Sequence, residues 1–117
     1  MDPRLKRNQS KIEGVISLCW AASEGDLLEV RHLIAQGVEI NLADYDGRTA
    51  LHLAASEGHV NVIEYLISKG ANLNPMDRWG NTPLTDALRS KHQLVIELLE
   101  KHGADADSMN YNLKRQK

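Results

Sequence analysis

The strongest constraint in this sequence is an internal repeat with a period of 33 residues. Gly25 and Gly58 stand one period apart, and Gly37, Gly70 and Gly103 form a series of three. Aliphatic residues keep the same register in four further series: Leu18/Leu51/Leu84, Ala21/Ala54/Ala87, Val30/Ile63/Ile96 and Leu33/Leu66/Leu99. A fixed period of this size is typical of repeat proteins, in which each unit buries its apolar face on the next unit. The chain is therefore predicted to stack three copies of one unit.

Composition agrees with a stack of small units. Hydrophobic residues make up 42% of the chain, but aromatic residues make up only 4% and phenylalanine is absent. The core must then consist of Leu, Ile, Val and Ala. A repeat protein tolerates such a core because each unit packs only on its neighbours.

Charge separates the two ends of the chain from its body. The net charge is −2, yet residues 1–11 hold four basic side chains and one acidic one, and residues 111–117 hold three basic side chains and no acid. The body is therefore acidic, which disfavours a nucleic-acid surface because phosphate binding needs clustered Lys and Arg on a folded face. We expect flexible basic segments at residues 1–10 and 108–117.

No feature of the sequence indicates a membrane or an oxidising compartment. No apolar run approaches the roughly 20 residues that span a bilayer, and Met1 to Ser10 contains no hydrophobic segment of the secretory type. The single cysteine, Cys19, offers no intramolecular disulfide, as is usual in a reducing compartment. We expect a soluble, cytoplasmic protein that does not bind membranes.

The middle copy shows the local structure of a unit most clearly. Asp44 to Gly47 (D-Y-D-G) is typical of a turn, and Thr49 can cap a first helix that starts at Ala50. A second amphipathic helix is predicted from Asn61 to Ser68, and Gly70 stands where a helix commonly ends. Each unit is thus a turn, two helices and an extended link. The copies span about residues 11–43, 44–76 and 77–107.

The outer copies depart from this pattern. In the third copy Thr82 takes the cap and Pro83 the first helical position, where its missing N–H costs nothing. In the first copy Ile16 replaces the threonine, and only Gly14 remains of the turn. The first copy is therefore predicted to be a degenerate terminal repeat.

Three strings carry a family resemblance: D-G-R-T-A-L-H-L-A-A-S-E-G-H-V (residues 46–60), G-A-N-L-N (70–74) and W-G-N-T-P-L (79–84). They resemble the ankyrin repeat, and the likeness covers about residues 14–107. It implies an all-α solenoid of three helix-turn-helix repeats, with short turn or hairpin links, in a domain at residues 11–107.

A narrower likeness lies in the third copy. D-R-W-G-N-T-P-L-T-D-A (residues 77–87) is similar to the short ankyrin modules of animal glutaminases and of integrin-linked-kinase-like plant kinases. Neither catalytic domain is present in the chain. A regulatory or oligomerising segment of a larger enzyme of either kind, an amidohydrolase or a kinase, is therefore the alternative to an independent interaction module.

Five histidines and one cysteine raise the question of a metal or thiol site. The resemblance implies structural roles for His52 and His59, while Cys19 falls in register with His52 and is interpreted as a packing group. His32, His92 and His102 are expected to be surface polar residues. No phosphate loop, CxxC pair or HExxH string occurs. We expect no catalytic residue, cofactor or metal, and a small metal or thiol enzyme is the disfavoured alternative.

Asp86 interrupts the register, because Trp20 and Leu53 stand in its place in the other copies. A buried carboxylate needs a donor. We expect Arg78 and the indole N–H of Trp79 to supply one and so to tie the third turn to its helix. An interaction surface at Asp86 is the second interpretation.

The resemblance implies that a partner protein binds the turn tips and the exposed side of the first helices. Matched one at a time, these positions form a strip of ten residues: Tyr45, Asp46, Arg48, Ser56, Glu57, Arg78, Trp79, Asn81, Arg89 and Ser90. Trp, Tyr and Arg are the residues that dominate binding hot spots. The alternative is a purely structural strip, in which Tyr45 and Trp79 pack on neighbouring turns.

The last helix offers a second candidate surface. Its apolar residues occupy more than one face and are Leu94, Val95, Ile96, Leu98 and Leu99. With no repeat following, part of this surface is expected to stay exposed. Weak self-association through this edge is a further hypothesis.

Overall fold

The computed structural model describes residues 3–104, with side chains from residue 10 onward. Six helices account for most of this range: α1 Pro3–Glu24, α2 Leu27–Ala35, α3 Ala50–Glu57, α4 Val60–Ser68, α5 Pro83–Ser90 and α6 Gln93–Lys101. Residues 3–104 contain no strand. The predicted all-α repeat architecture is confirmed.

The helices form two layers. The first helices of the repeats lie side by side, α1 against α3 and α3 against α5, while α2 packs on α4 and α4 on α6. Two extended links join the repeats, and we call residues 36–49 the first loop and residues 69–82 the second loop. Each loop reverses at a tight turn, closed by the Asp44 N–H on the Arg48 carbonyl and the Asp77 N–H on the Asn81 carbonyl, both at 2.9 Å.

The residues that repeat in register form the core. Leu18, Leu51 and Leu84 are buried on successive first helices, and the recurring alanines beside them are buried as well. Small alanine side chains let neighbouring first helices approach closely. The second helices contribute the Val30/Ile63/Ile96 and Leu33/Leu66/Leu99 series to the same cluster. The core predicted from the period is confirmed.

Threonine caps set where α3 and α5 begin. The Thr49 hydroxyl accepts the His52 N–H at 3.4 Å, and the Thr82 hydroxyl accepts the Thr85 N–H at 3.2 Å. Pro83 is the first residue of α5, as predicted. Each cap satisfies an N–H group that the first helical turn leaves without a partner.

The first repeat has no such start signal, and α1 is correspondingly long. It begins at Pro3 and continues through Gly14, where the sequence predicts the remnant of a turn. The same helix occupies residues 3–10, part of the segment expected to be flexible. With Ile16 in the threonine position, no side-chain cap interrupts the helix. The predicted flexible tail at residues 108–117 lies outside the described residues.

The ends of the first helices show how the third repeat differs. Gly58 ends α3 with a positive φ of 80°, a conformation that glycine adopts without strain. Lys91 takes the same position after α5 with a φ of 60°, which is strained for a residue with a Cβ. Among residues 3–104 it is the one non-glycine residue with a positive φ.

Candidate partner-binding surface

A buried histidine anchors the second loop. The Nδ1 of His52 accepts the Thr49 N–H at 3.1 Å, and its Nε2 donates to the Asn81 carbonyl at 2.8 Å. Burial lowers the pKa of His52, an effect that the hydrogen bond to Asn81 partly opposes. Because Nδ1 accepts a hydrogen bond it carries no proton, so the ring is neutral, and it fixes the base of the loop that carries Trp79.

An aspartate braces the turn of each loop from inside. The Asp44 Oδ1 accepts N–H groups from the residues two and four positions later, at 2.8 and 3.0 Å. The Asp77 Oδ1 repeats both bonds one period later, each at 2.9 Å. Asp is favoured at such positions because its short side chain can satisfy the backbone of the turn. The two turns thus have the same internal support.

This support presents an aromatic side chain at each loop tip. Tyr45 is 79% exposed and Trp79 is 56% exposed. The Arg78 guanidinium lies 5.3 Å from the centre of the Trp79 ring, and its Nη1 lies 3.3 Å from the Asp46 Oδ1. The Arg78 N–H also donates to the Asp46 carbonyl at 2.9 Å. Neighbouring tips are therefore tied together while their aromatic rings face outward.

The remaining strip residues divide by exposure. Glu57, Arg89 and Ser90 are exposed, and Arg48 and Ser56 are half-buried. Asn81 is buried, which differs from the exposed position expected for it. Its carbonyl is the acceptor for His52, and its Oδ1 accepts from Arg89 Nη2 at 2.9 Å. Asn81 therefore supports the surface from beneath.

The expectation that Arg78 and Trp79 supply donors to Asp86 is wrong. Asp86 is buried, but its ion-pair partner is Arg89, whose Nη1 lies 3.6 Å from the Asp86 Oδ1. Arg78 is engaged by Asp46 on the preceding loop, and Arg89 is available one turn further along α5. Burial raises the pKa of Asp86 to about 6, although Arg89 opposes the shift. The turn of the second loop is instead tied to α5 by the hydrogen bond between Asn81 and Arg89.

Comparison with known families agrees with this geometry. A family model of ankyrin repeats, in three copies, matches residues 18–110. The chain belongs to the ankyrin-repeat family. No curated protein matches the chain. Ankyrin repeats are generally protein–protein interaction modules and typically lack catalytic activity, whereas the narrower likeness to glutaminase and kinase modules stays a prediction.

One side-chain cluster in this ankyrin domain has the composition of a metal site. Ligand atoms of His52, Asp77 and Asp86 lie within 4.8 Å of one another. Both ring nitrogens of His52 are already hydrogen-bonded, and the Asp77 Oδ1 holds two backbone N–H groups. A bound cation would have to displace the bonds that shape the second loop. The cluster is better explained as the loop's support.

Cys19 has the surroundings of a packing residue. It is buried, and its thiol donates weakly to the Arg48 carbonyl at 3.6 Å. Burial, with a further contribution from the Asp44 charge, raises the pKa of Cys19 to about 12. A nucleophilic cysteine needs the opposite environment, which stabilises the thiolate.

The four histidines other than His52 differ in their exposure and in their hydrogen bonds. His59 Nε2 contacts the Ser23 carbonyl at 2.9 Å, and His92 Nε2 repeats this contact on the Ser56 carbonyl at 3.0 Å. The expectation that His92 is a surface polar residue is therefore wrong, because its ring closes the end of the preceding first helix. His32 and His102 are exposed, as expected.

The ankyrin surface also includes residues that the strip omits. Trp20 on α1 is 68% exposed, and with Ile16 it lines a cavity of about 360 Å³ that Tyr45, Arg48 and Leu53 also border. The register of Trp20 with Leu53 places it on the first helix of its repeat. The predicted strip omits Trp20 because the strip starts from the turns, and the degenerate first repeat has no turn.

No helix within residues 3–104 combines the length and apolar character needed to cross a membrane.

Proposed function

We propose that this protein is a non-catalytic ankyrin module that binds a partner protein through its loop tips and the exposed face of its first helices. The observation that carries the proposal is the pair of aromatic side chains held outward on braced turns, Tyr45 and Trp79. A folded protein gains little by exposing two large aromatic rings in this way. On a surface built for binding they supply contact area at low entropic cost.

The surroundings of these rings favour a protein partner over a small molecule. Arg78 lies over Trp79, and exposed Glu57, Arg89 and Ser90 continue the surface along the first helices. Interfaces of this kind combine aromatic anchors with a polar rim. The strip offers both on rigid supports, so little order has to be gained on binding.

The test compares partner capture by the wild-type chain and by a Tyr45→Ala, Trp79→Ala double variant. We expect the double variant to lose its partner while keeping its helical content, because both side chains are exposed. Leu28→Ala is the matched control, since Leu28 is 80% exposed but lies on α2, away from the strip. Undiminished capture by the double variant, or equal loss in the control, contradicts the proposal.

A second candidate is weak self-association through the last repeat. The observation that favours it is Leu94 on α6, a large apolar side chain that stays exposed beside half-buried Leu98. This edge would serve the oligomerising role expected of a segment from a larger enzyme. Sedimentation at rising concentration should show association that Leu94→Lys abolishes, and a monomer at high micromolar concentration would exclude it.

A further inference from the structure

An apolar stripe runs along the exposed face of α1. Ile12, Ile16 and Trp20 stand four residues apart, so they share one face of the helix, and all three are exposed. Tyr45 of the first loop stands opposite them and is also exposed. Four of the large apolar side chains that the described residues expose are therefore gathered in one place. Contiguous exposed apolar surface commonly marks a binding site.

These four residues border a groove rather than a flat patch. One cavity, of about 360 Å³, lies between α1, α3 and the first loop, and includes Ile16, Trp20 and Tyr45 in its lining. A second cavity, of about 350 Å³, continues toward the start of α1 and shares Ile16 and Tyr45 with the first. We call this feature the Trp20 groove (Ile12, Ile16, Trp20 and Tyr45). Each cavity has room for a large side chain.

The charge around the groove is negative. Beside Trp20 lies a third cavity, of about 440 Å³, whose lining includes Glu24, Asp26 and Glu29. None of these three carboxylates forms an ion pair with a side chain of residues 10–104. The acidic rim therefore favours an occupant that brings positive charge.

The cations near the groove do not offset this rim. Lys11 is paired with Glu39 at 2.9 Å, and Arg48 Nε lies 4.0 Å from Asp44 Oδ2. Their charges are compensated locally.

We propose that the Trp20 groove binds a partner polypeptide segment in which a large apolar side chain is adjacent to lysine or arginine. The apolar side chain enters between Ile16, Trp20 and Tyr45. The neighbouring cation lies against the Trp20 ring, where the aromatic face attracts it, and faces Glu24 and Glu29. This inference rests on the proposed function and adds a site and a partner chemistry to it.

To test the proposal, random peptides are displayed and selected for binding to the full chain, and the affinity of each recovered peptide for the chain is measured. We expect them to combine an aromatic or long aliphatic residue with lysine or arginine, and to bind more weakly as salt is raised. Trp20→Ala should weaken binding by about tenfold or more, the scale of an anchor residue. Because Trp20 is exposed, the variant should keep the wild-type unfolding midpoint.

Two matched variants isolate the contribution of charge. The Glu24→Gln, Glu29→Gln double variant should bind the selected peptides several-fold more weakly and lose much of the salt dependence. Glu64→Gln, an exposed glutamate on α4, should change neither quantity. An equal effect of Glu64→Gln contradicts the assigned role of the rim.

The remaining outcomes separate this inference from the proposed function. If the selected peptides need Trp79 but not Trp20 for binding, the inference about the Trp20 groove is wrong, while the proposed function of the strip is unaffected. A selection that yields acidic peptides, or no peptide dependent on Trp20, also overturns it. If the wild-type chain sediments as a dimer that Trp20→Ala dissociates, the occupant is a second copy and the proposal is wrong.

Discussion

The Nε2 of His52 lies 2.8 Å from the carbonyl oxygen of Asn81, 29 residues further along the chain. This bond joins the start of α3 to the base of the second loop. Asn81 extends this connection to α5, because its Oδ1 accepts a hydrogen bond from the Arg89 guanidinium. The orientation of the loop that presents Trp79 therefore depends on a buried ring in the preceding repeat.

Replacing His52 should destabilise the whole domain. His52→Leu removes both ring hydrogen bonds. It leaves the Thr49 N–H buried without an acceptor and takes one donor from the Asn81 carbonyl, which still accepts the Asp77 N–H. The expected cost is about 1–3 kcal/mol. Urea unfolding near neutral pH measures the change. The control is His102→Leu at the exposed end of α6, which should shift the free energy of unfolding by less than about 0.5 kcal/mol. Similar losses in both variants contradict the anchoring role.

Neutralising Asp86 should stabilise the protein in a pH-dependent way. Burial raises the folded-state pKa of Asp86 to about 6, above the ordinary value of 3.8 for an aspartate. A raised pKa means that the ionised carboxylate opposes folding, so its penalty is absent below the unfolded pKa and grows as pH rises through the folded pKa. Asp86→Asn should therefore gain on the order of 1 kcal/mol near neutral pH.

Unfolding free energies of wild type and Asp86→Asn, measured across this pH range, test the sign. The advantage of the variant should shrink as the pH falls through about 6 and vanish below 3.8. Glu57→Gln removes an exposed carboxylate of α3 and is the matched control; an equal gain in stability near neutral pH would contradict the role of burial at Asp86. A variant that is less stable than wild type near neutral pH means that the ion pair with Arg89 outweighs burial.

Two glycine substitutions should separate backbone strain from a steric clash. Gly58 and Gly70 have positive φ angles of 80° and 87°, so alanine at either site should cost about 1–2 kcal/mol. A Cβ at Gly58 would also lie 2.8 Å from the His92 Nδ1, whereas nothing lies within 4 Å of one at Gly70. Gly58→Ala should therefore cost about 1 kcal/mol more, because His92 must leave the Ser56 carbonyl. Equal losses by thermal or urea unfolding refute the clash.

Lys91→Gly should make the protein more stable. Lys91 follows α5 at the position that Gly58 takes after α3, and its φ is 60°. Removing its Cβ should raise the free energy of unfolding by about 1 kcal/mol. Lys69→Gly is a contrasting control, since Lys69 follows α4 with an ordinary φ of −98°. There glycine should cost about 0.5–1 kcal/mol through the entropy of the unfolded chain. The two variants should thus move the unfolding midpoint in opposite directions.

Much of the fold could be predicted because its determinants are local or periodic. The caps at Thr49 and Thr82, Pro83 at the first position of α5 and the buried leucine series all follow from residue type and register. The loop tips of the strip could be placed in the same way, since turn residues recur one period apart. Their register did not decide whether Tyr45 and Trp79 are exposed or pack on neighbouring turns; the exposure of both side chains is a finding of the structure.

Other parts of the site could not be predicted, because they depend on which of several competing partners lies nearest in space. Arg78 and Arg89 are both plausible donors for Asp86, and only the packing of the loops directs Arg78 to Asp46. The burial of Asn81 and the wedge formed by His92 depend on elements about one repeat away. Such contacts have no signature within any single copy.

The sequence by itself determined the repeat, the helices, their caps and the apolar face each helix buries, because helical periodicity and backbone preferences act over a few residues. Only the tertiary structure decided the ion pairs, the length of the exposed face of α1 and the cavities beside Trp20. The cavities arise where the first loop approaches α1, a helix that no cap interrupts. A groove is a property of two surfaces together, and the residues of either surface alone do not define it.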